Sequence, residues 1–436
     1  MKATSGRNTT VKLVTVFFPL LLTFVDSLAQ IPDAIYSSRI KTVQLYTKGN
    51  QLGFPVIRSN SVEQLELHFD DLDADVKNYS YTFQLCNADW TPAMLSQFDF
   101  IKGYSQIRIT TYRMSSVAYT RYTHYQANLP DRNCLPTRPG NYILKVFRDG
   151  DTSKLIFTKR MLVADEKAVV SAQIQQPFNG QLFRTHQKVQ FRVVLNEQLN
   201  VVNHLQQIKV VILQNNRWDN AIVDIKPSFF SRNTLEFNTE NDCVFPSGKE
   251  WRWLDLRSFR LQSDRVMNAK YSTSSTEIFV KPDMDRSGQR FNFFRDNNGF
   301  FVIDNIEGLN PFWQGDYATV HFSFVPPNNV ALNGRDVYLV GQLTNYDLSN
   351  QSKMQFNTEK GVYETSLFLK QGYYDYCYVA IDRSARNKVP VFDYTEGNYW
   401  ETENDYTILV YYRALAGRAD ELVGYARVNS LSGRSR

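Results

Sequence analysis

Cysteine and histidine are scarce in this chain, at four and five residues among 436. Cys86, Cys134, Cys243 and Cys377 are spread too widely for a disulfide framework or a zinc site, both of which use closely spaced pairs. Cys86 and Cys134 fall in one predicted domain, where they either pair in an oxidising compartment or stay as buried free thiols. The histidines, His68, His124, His186, His204 and His321, lack the i, i+4 spacing of a helical metal site. There is no Gly-x-Ser-x-Gly elbow and no phosphate-cradling glycine loop. Long apolar runs are missing beyond the N-terminus, and the mean hydropathy is negative, which argues against an embedded helix bundle. An even series of ten-residue amphipathic strands with aromatic girdles is also missing, which argues against a transmembrane β-barrel. Charge is nearly balanced, at a formal +5, and the basic residues are scattered among acids, so nucleic acid is not an expected partner.

The N-terminus has a basic start (Lys2, Arg7, Lys12) and then an apolar stretch from Leu13 to Val25, too short for a membrane span and broken by Pro19. Ser27-Leu28-Ala29 offers the small residues that a signal peptidase reads, so residues 1–29 are expected to be a signal peptide cleaved between Ala29 and Gln30. That cleavage lowers the formal charge to +3 and leaves about 407 residues, enough for two or three domains.

Tyr and Phe are plentiful, at 25 and 30 residues, and favour strands. Residues alternate as strands do at Leu65-Leu67-Phe69, Tyr79-Tyr81-Phe83-Leu85, and Tyr142 to Phe147 after the turn Pro139-Gly140-Asn141. The rhythm resumes from Val169 and again from Ala318, without a confident helix of three turns. The reading is all-β, with three consecutive immunoglobulin-like β-sandwich domains: an N-terminal one at 30–165, a middle one at 166–285 and a C-terminal one at 316–425. Residues 286–315 read as a hairpin linker around Asn297-Asn298-Gly299, and 426–436 as a polar tail.

Residues patterned for chemistry are few. Asp71, Asp73 and Asp75 alternate like the start of a calcium loop, but the sixth position is Val76 and the twelfth Thr82, so a polar turn explains them. Trp90, Trp313 and Trp400 are candidate ligand platforms, with the filling of cores and domain junctions as the favoured reading. No catalytic residue, metal or cofactor is expected.

The stretch Tyr79-Ser80-Tyr81-Thr82-Phe83-Gln84-Leu85-Cys86-Asn87-Ala88-Asp89-Trp90-Thr91-Pro92 resembles the plug protein family of the Bacteroidetes type IX secretion system. Gly103-Tyr104, Tyr122-Thr123-His124-Tyr125, Leu129-Pro130 and Trp251-Arg252-Trp253-Leu254-Asp255-Leu256-Arg257-Ser258 continue the likeness in order. The resemblance implies a non-catalytic periplasmic plug that docks on the giant outer-membrane β-barrel translocon and closes its periplasmic opening when no substrate is in transit. It names no interface residues. Asp336 to Tyr346 and Gly372 to Tyr376 are similar to early-set or starch-binding immunoglobulin-like modules, which leaves a periplasmic or surface glycan-binding protein as the alternative. In those modules a tryptophan typically follows the asparagine; here Tyr346 follows Asn345.

Overall fold

A computed structural model describes residues 32–432. The expected signal peptide, with its cleavage point at Ala29 and Gln30, lies outside the described residues. Among these residues strands make up nearly all the regular structure, and the single α-helical turn is His204–Gln207. Among the described residues no helix is long and apolar enough to cross a membrane.

In the first sandwich, Leu65–Asp71 lies between Ile40–Thr47 and Thr123–Leu129, with Thr111–Met114 at the sheet edge. The facing sheet orders Val56–Arg58, Leu155–Ala164, Gly140–Arg148, Tyr79–Cys86 and Ile107–Arg108. The alternating residues Leu65, Leu67, Phe69 and Tyr79, Tyr81, Phe83, Leu85 all enter one core, as period-two strands require.

The other two sandwiches do not follow one another along the chain, which corrects the expected boundaries. Ala168–Gln175, His186–Leu195 and Thr234–Phe237 form one sheet of the second sandwich. Its facing sheet pairs Ile208–Gln214 with Asp405–Tyr412, and Asp405–Tyr412 with Glu421–Asn429. The last two strands, placed in the C-terminal module by sequence, therefore complete the middle one, and residues 426–429 are strand where a tail was expected. The cause is visible in Asp405–Tyr412: Tyr406, Ile408 and Val410 enter the second core while Leu409 and Tyr411 pack against the first sandwich. Both faces of that strand are buried, so it sits centrally between domains.

The third sandwich is inserted before those strands. Arg252–Asp255, Val266–Tyr271 and Thr276–Val280, expected in the middle module, belong to it with Tyr317–Val325, Val362–Lys370 and Tyr373–Asp382. The expected linker is part of the same body, since Phe301–Val302 pairs with Tyr374 and Tyr373. Asn298 and Gly299 do adopt positive φ, but 291–295 form no strand, so the turn is not a hairpin. A Cβ on Gly299 would meet the Trp251 ring at 2.8 Å.

Candidate functional site: two buried seams and a tryptophan joint

Two clusters of buried charge fasten the sandwiches to one another. The first joins sandwiches one and three. Asp70 accepts from His124 Nδ1 at 2.7 Å, from Tyr317 Oη at 2.6 Å and from Lys370 Nζ at 2.5 Å. Asp70 and Lys370 are almost wholly buried although 300 residues separate them. Burial opposes charge on Asp70, but Lys370 and then His124 outweigh it and hold its carboxyl below the usual range. His68 Nδ1 lies 3.1 Å from His124 Nε2, and its ring stacks on Phe312. Burial, followed by the neighbouring His124, pushes His68 down to about 3. The rings are thus neutral, His124 donates through Nδ1 to Asp70, and its Nε2 accepts from His68. The cluster packs against Phe312 and Tyr317, its lysine also donates to the Phe312 carbonyl, and it ties the first sandwich to the third.

The second seam, between sandwiches two and three, holds acids. Burial raises the pKa of all four, Glu250, Asp296, Asp375 and Glu403, and neighbouring acids add to it: Glu250 goes to about 8 beside Asp296 and Glu403, Asp375 to about 8 beside Asp296, Asp296 to about 7 near Glu403, and Glu403 upward beside Asp405. Backbone amides do part of the holding. Asp375 accepts from Asn297 N at 2.5 Å, and Glu250 from Glu403 N at 3.2 Å. Glu250 Oε2 and Asp375 Oδ1 have no hydrogen-bond partner within the described residues.

At a third joint, Trp90 of the first sandwich meets Trp218 of the second edge-on at 4.9 Å, and the Arg160 guanidinium lies over both rings. Trp313 gives its carbonyl to Ser116 N at 3.0 Å, and Trp400 gives its carbonyl to Gln187 Nε2 at 2.7 Å. None of the six tryptophans is exposed, so the candidate platforms are junction residues. Cys86 and Cys134 are buried free thiols, each pushed up to about 12 by burial. The pairing left open by sequence is not made: Cys86 ends a strand of the large sheet, while Cys134 pairs with Gly103 in a separate two-stranded ribbon. Lys77 Nζ occupies the middle of the Asp71, Asp73, Asp75 trio, where a cation would sit.

Residues 40–165, nearly the whole first sandwich, match the family described as Type 9 secretion system plug protein 1st domain. The N-terminal sandwich belongs to that family. That likeness supports an involvement of the chain in type IX secretion. The chain has no match among curated proteins. The crystal structure of a hypothetical protein from Parabacteroides merdae ATCC 43184 is similar at a TM-score of 0.87 and 29% identity, covering 92% of this chain and 100% of that one. Native alpha-2-macroglobulin from Escherichia coli, spanning domains NIE-MG1, matches at 10% identity over 46% of this chain and 89% of its own, with a TM-score of 0.17 that supports no comparison.

In the plug domain, the Cys-Asn-Ala-Asp-Trp run that carries the resemblance is a fastening. Asn87 Oδ1 accepts from Arg413 at 2.6 Å, Ala88 N donates to Asp420 at 3.0 Å, and Trp90 makes the joint described above. Arg413 and Asp420 flank the strands that complete the second sandwich. Sequence reasoning identified this motif but not its partners. Lys370 and Asp316, which clamp the plug domain from the third sandwich, carried no sequence signal, because their meaning arises only from residues about 200 to 300 positions away.

Proposed function

We propose that this chain is a non-catalytic periplasmic subunit that docks on the large outer-membrane barrel of type IX secretion and closes its periplasmic opening when no substrate is in transit. The match of residues 40–165 to the plug first domain carries this reading. The physical construction supports it. A stopper must resist deformation, and here the plug domain is fixed to the second sandwich by an apolar seam and to the third by a buried ion pair. A reversible gate is suited by several modest contacts more than by one large permanent apolar seal. Export to the periplasm would follow from cleavage between Ala29 and Gln30.

The test is a mild-detergent pull-down of the full chain, tagged after Arg436, from native outer membranes, with mass spectrometry of what co-purifies. A giant outer-membrane barrel is the expected band, together with a processed chain starting at Gln30. Retention on polysaccharide with no barrel recovered would overturn the reading in favour of glycan binding.

A further inference from the structure

One side of the plug domain differs in composition from the rest of the surface. Between Asp99 and Asp131 the chain has no acidic residue and four basic ones, Lys102, Arg108, Arg113 and Arg121. All four are exposed, and among the described residues none makes a salt bridge. In the neighbouring Asp71–Asp75 turn, by contrast, the basic residues are neutralised: Lys77 by Asp71, Asp73 and Asp75, and Arg39 by Asp73.

Topology puts Arg108 and Arg113 on one flank, with Lys102 in the ribbon that precedes it and Arg121 in the loop that follows it. Ile107–Arg108 is the edge strand of one sheet and Thr111–Met114 the edge strand of the other, and only two residues join them. The chain thus crosses from sheet to sheet along the open side of the sandwich. Thr111–Met114 pairs with Thr123–Leu129 on one side only, so its outer main-chain groups are unpaired, and all four of its side chains are exposed. Large apolar side chains accompany the charges: Tyr104, Met114, Val117 and Tyr119 are each more than half exposed. Gln97 Nε2 donates to the Ser105 carbonyl at 3.0 Å, which brings the exposed Phe98 beside this flank. The loop is also preorganised. Asp316 of the third sandwich accepts from Tyr119 N at 2.9 Å and from Thr120 N at 3.0 Å, and Ser116 N donates to the Trp313 carbonyl. A loop held in this way loses less entropy on binding than a free one.

We propose that this flank, from Phe98 to Arg121, is the docking surface of the plug domain, and that its partner is a protein face carrying acidic side chains. The proposal rests on the docking reading above and adds the surface and the partner's charge to it. Its roughly two dozen residues match one side of a standard-sized interface. Exposed Arg, Tyr and Met with an open strand edge suit a protein partner, since these side chains are enriched in interface cores and the edge can accept a strand. A lipid surface selects denser basic clusters, and this flank spreads four charges over twenty residues.

The experiment compares three full-length chains in the outer-membrane pull-down: wild type, the triple reversal Lys102→Glu, Arg113→Glu, Arg121→Glu, and a control reversal Lys226→Glu, Arg260→Glu, Lys281→Glu on the other two sandwiches. Thermal melts check that both variants fold. The flank reversal should lower recovery of the outer-membrane barrel by about tenfold or more, while the control stays near wild type and wild-type recovery falls as salt rises. Equal recovery with the flank reversed overturns the surface assignment and leaves the docking reading standing. No barrel with wild type overturns the docking reading itself. Binding of wild type to vesicles of anionic phospholipid, lost on reversal while barrel recovery is unchanged, overturns the protein partner in favour of a membrane.

Discussion

The two buried seams solve the same problem with opposite chemistry. Between sandwiches one and three, Asp70 meets Lys370, Tyr317 and His124, so each buried charge has a partner of the right sign or a donor. Between sandwiches two and three, Glu250, Asp296, Asp375 and Glu403 face one another, and burial is tolerated because several of them hold a proton. The first seam depends on both partners being present; the second depends on pH. The largest effect therefore comes from breaking the paired seam. Lys370→Met leaves Asp70 buried without its cation and should lower stability by about 3–5 kcal/mol, read as a shift in the urea midpoint. Adding Asp70→Asn to that variant should recover part of the loss, because the cost lies mainly in the stranded charge. A double variant no better than the single one would show that the seam is held by packing instead.

The sharpest test of the contrast is the pH profile. A raised carboxyl binds a proton in the folded state that the unfolded chain has already lost, so its stabilising contribution fades as pH rises from its ordinary value toward the folded one. For Glu250 that window runs from 4.5 to about 8, and for Asp375 from 3.8 to about 8. His68 has the opposite sign. Its depressed folded value, about 3 against 6.5, means the unfolded chain takes the proton first, so acid below about 6.5 destabilises. Stability should peak in the mildly acidic to neutral range and fall toward pH 9, with Arg286 and Arg427 moderating the carboxylates they face. Glu250→Gln should flatten the profile between pH 4.5 and about 8, gaining about 1–2 kcal/mol at pH 8.5, and leave the limb below 4.5 alone. An unchanged alkaline limb would mean the seam is not the group that titrates.

The tryptophan joint ranks next. Trp90→Ala removes the edge contact with Trp218 and the ring under Arg160, and should cost about 1–3 kcal/mol with little change in the plug domain's own core, since Trp90 packs outside it. Limited proteolysis of the variant should then cut preferentially at the boundary of the first two sandwiches. Digestion no different from wild type would assign the joint a minor role.

What could be read from sequence divides along the same line as these seams. Alternation places Tyr79, Tyr81, Phe83 and Leu85 in a core because a strand's period is a local property, so the all-β class and most strands were legible. Membership of a sheet is not local. Tyr406 to Tyr411 reads as apolar except for Thr407, which says that both faces are covered but not by what, and so the return of that strand to the second sandwich was hidden. His68 and His124, apart in sequence, share one face of adjacent strands only because Asp70 pairs with His124 in register.

The smallest predicted effect concerns the thiols, and it separates local burial from junction burial. Cys134 lies in the plug domain's own core, whereas Cys377 packs with Trp251, Val340 and Val379 near the seam between sandwiches two and three. All four cysteines are buried and free, so none should react with a thiol reagent in the native chain at neutral pH. As urea rises, Cys377 should become reactive before Cys134, because opening a domain junction requires less than unfolding a sandwich core. The shift is enlarged at pH 9, where the carboxylate seam weakens. Simultaneous exposure of both at every pH would mean that the three sandwiches unfold as one unit, and that the difference between the seams has no effect on how the molecule opens.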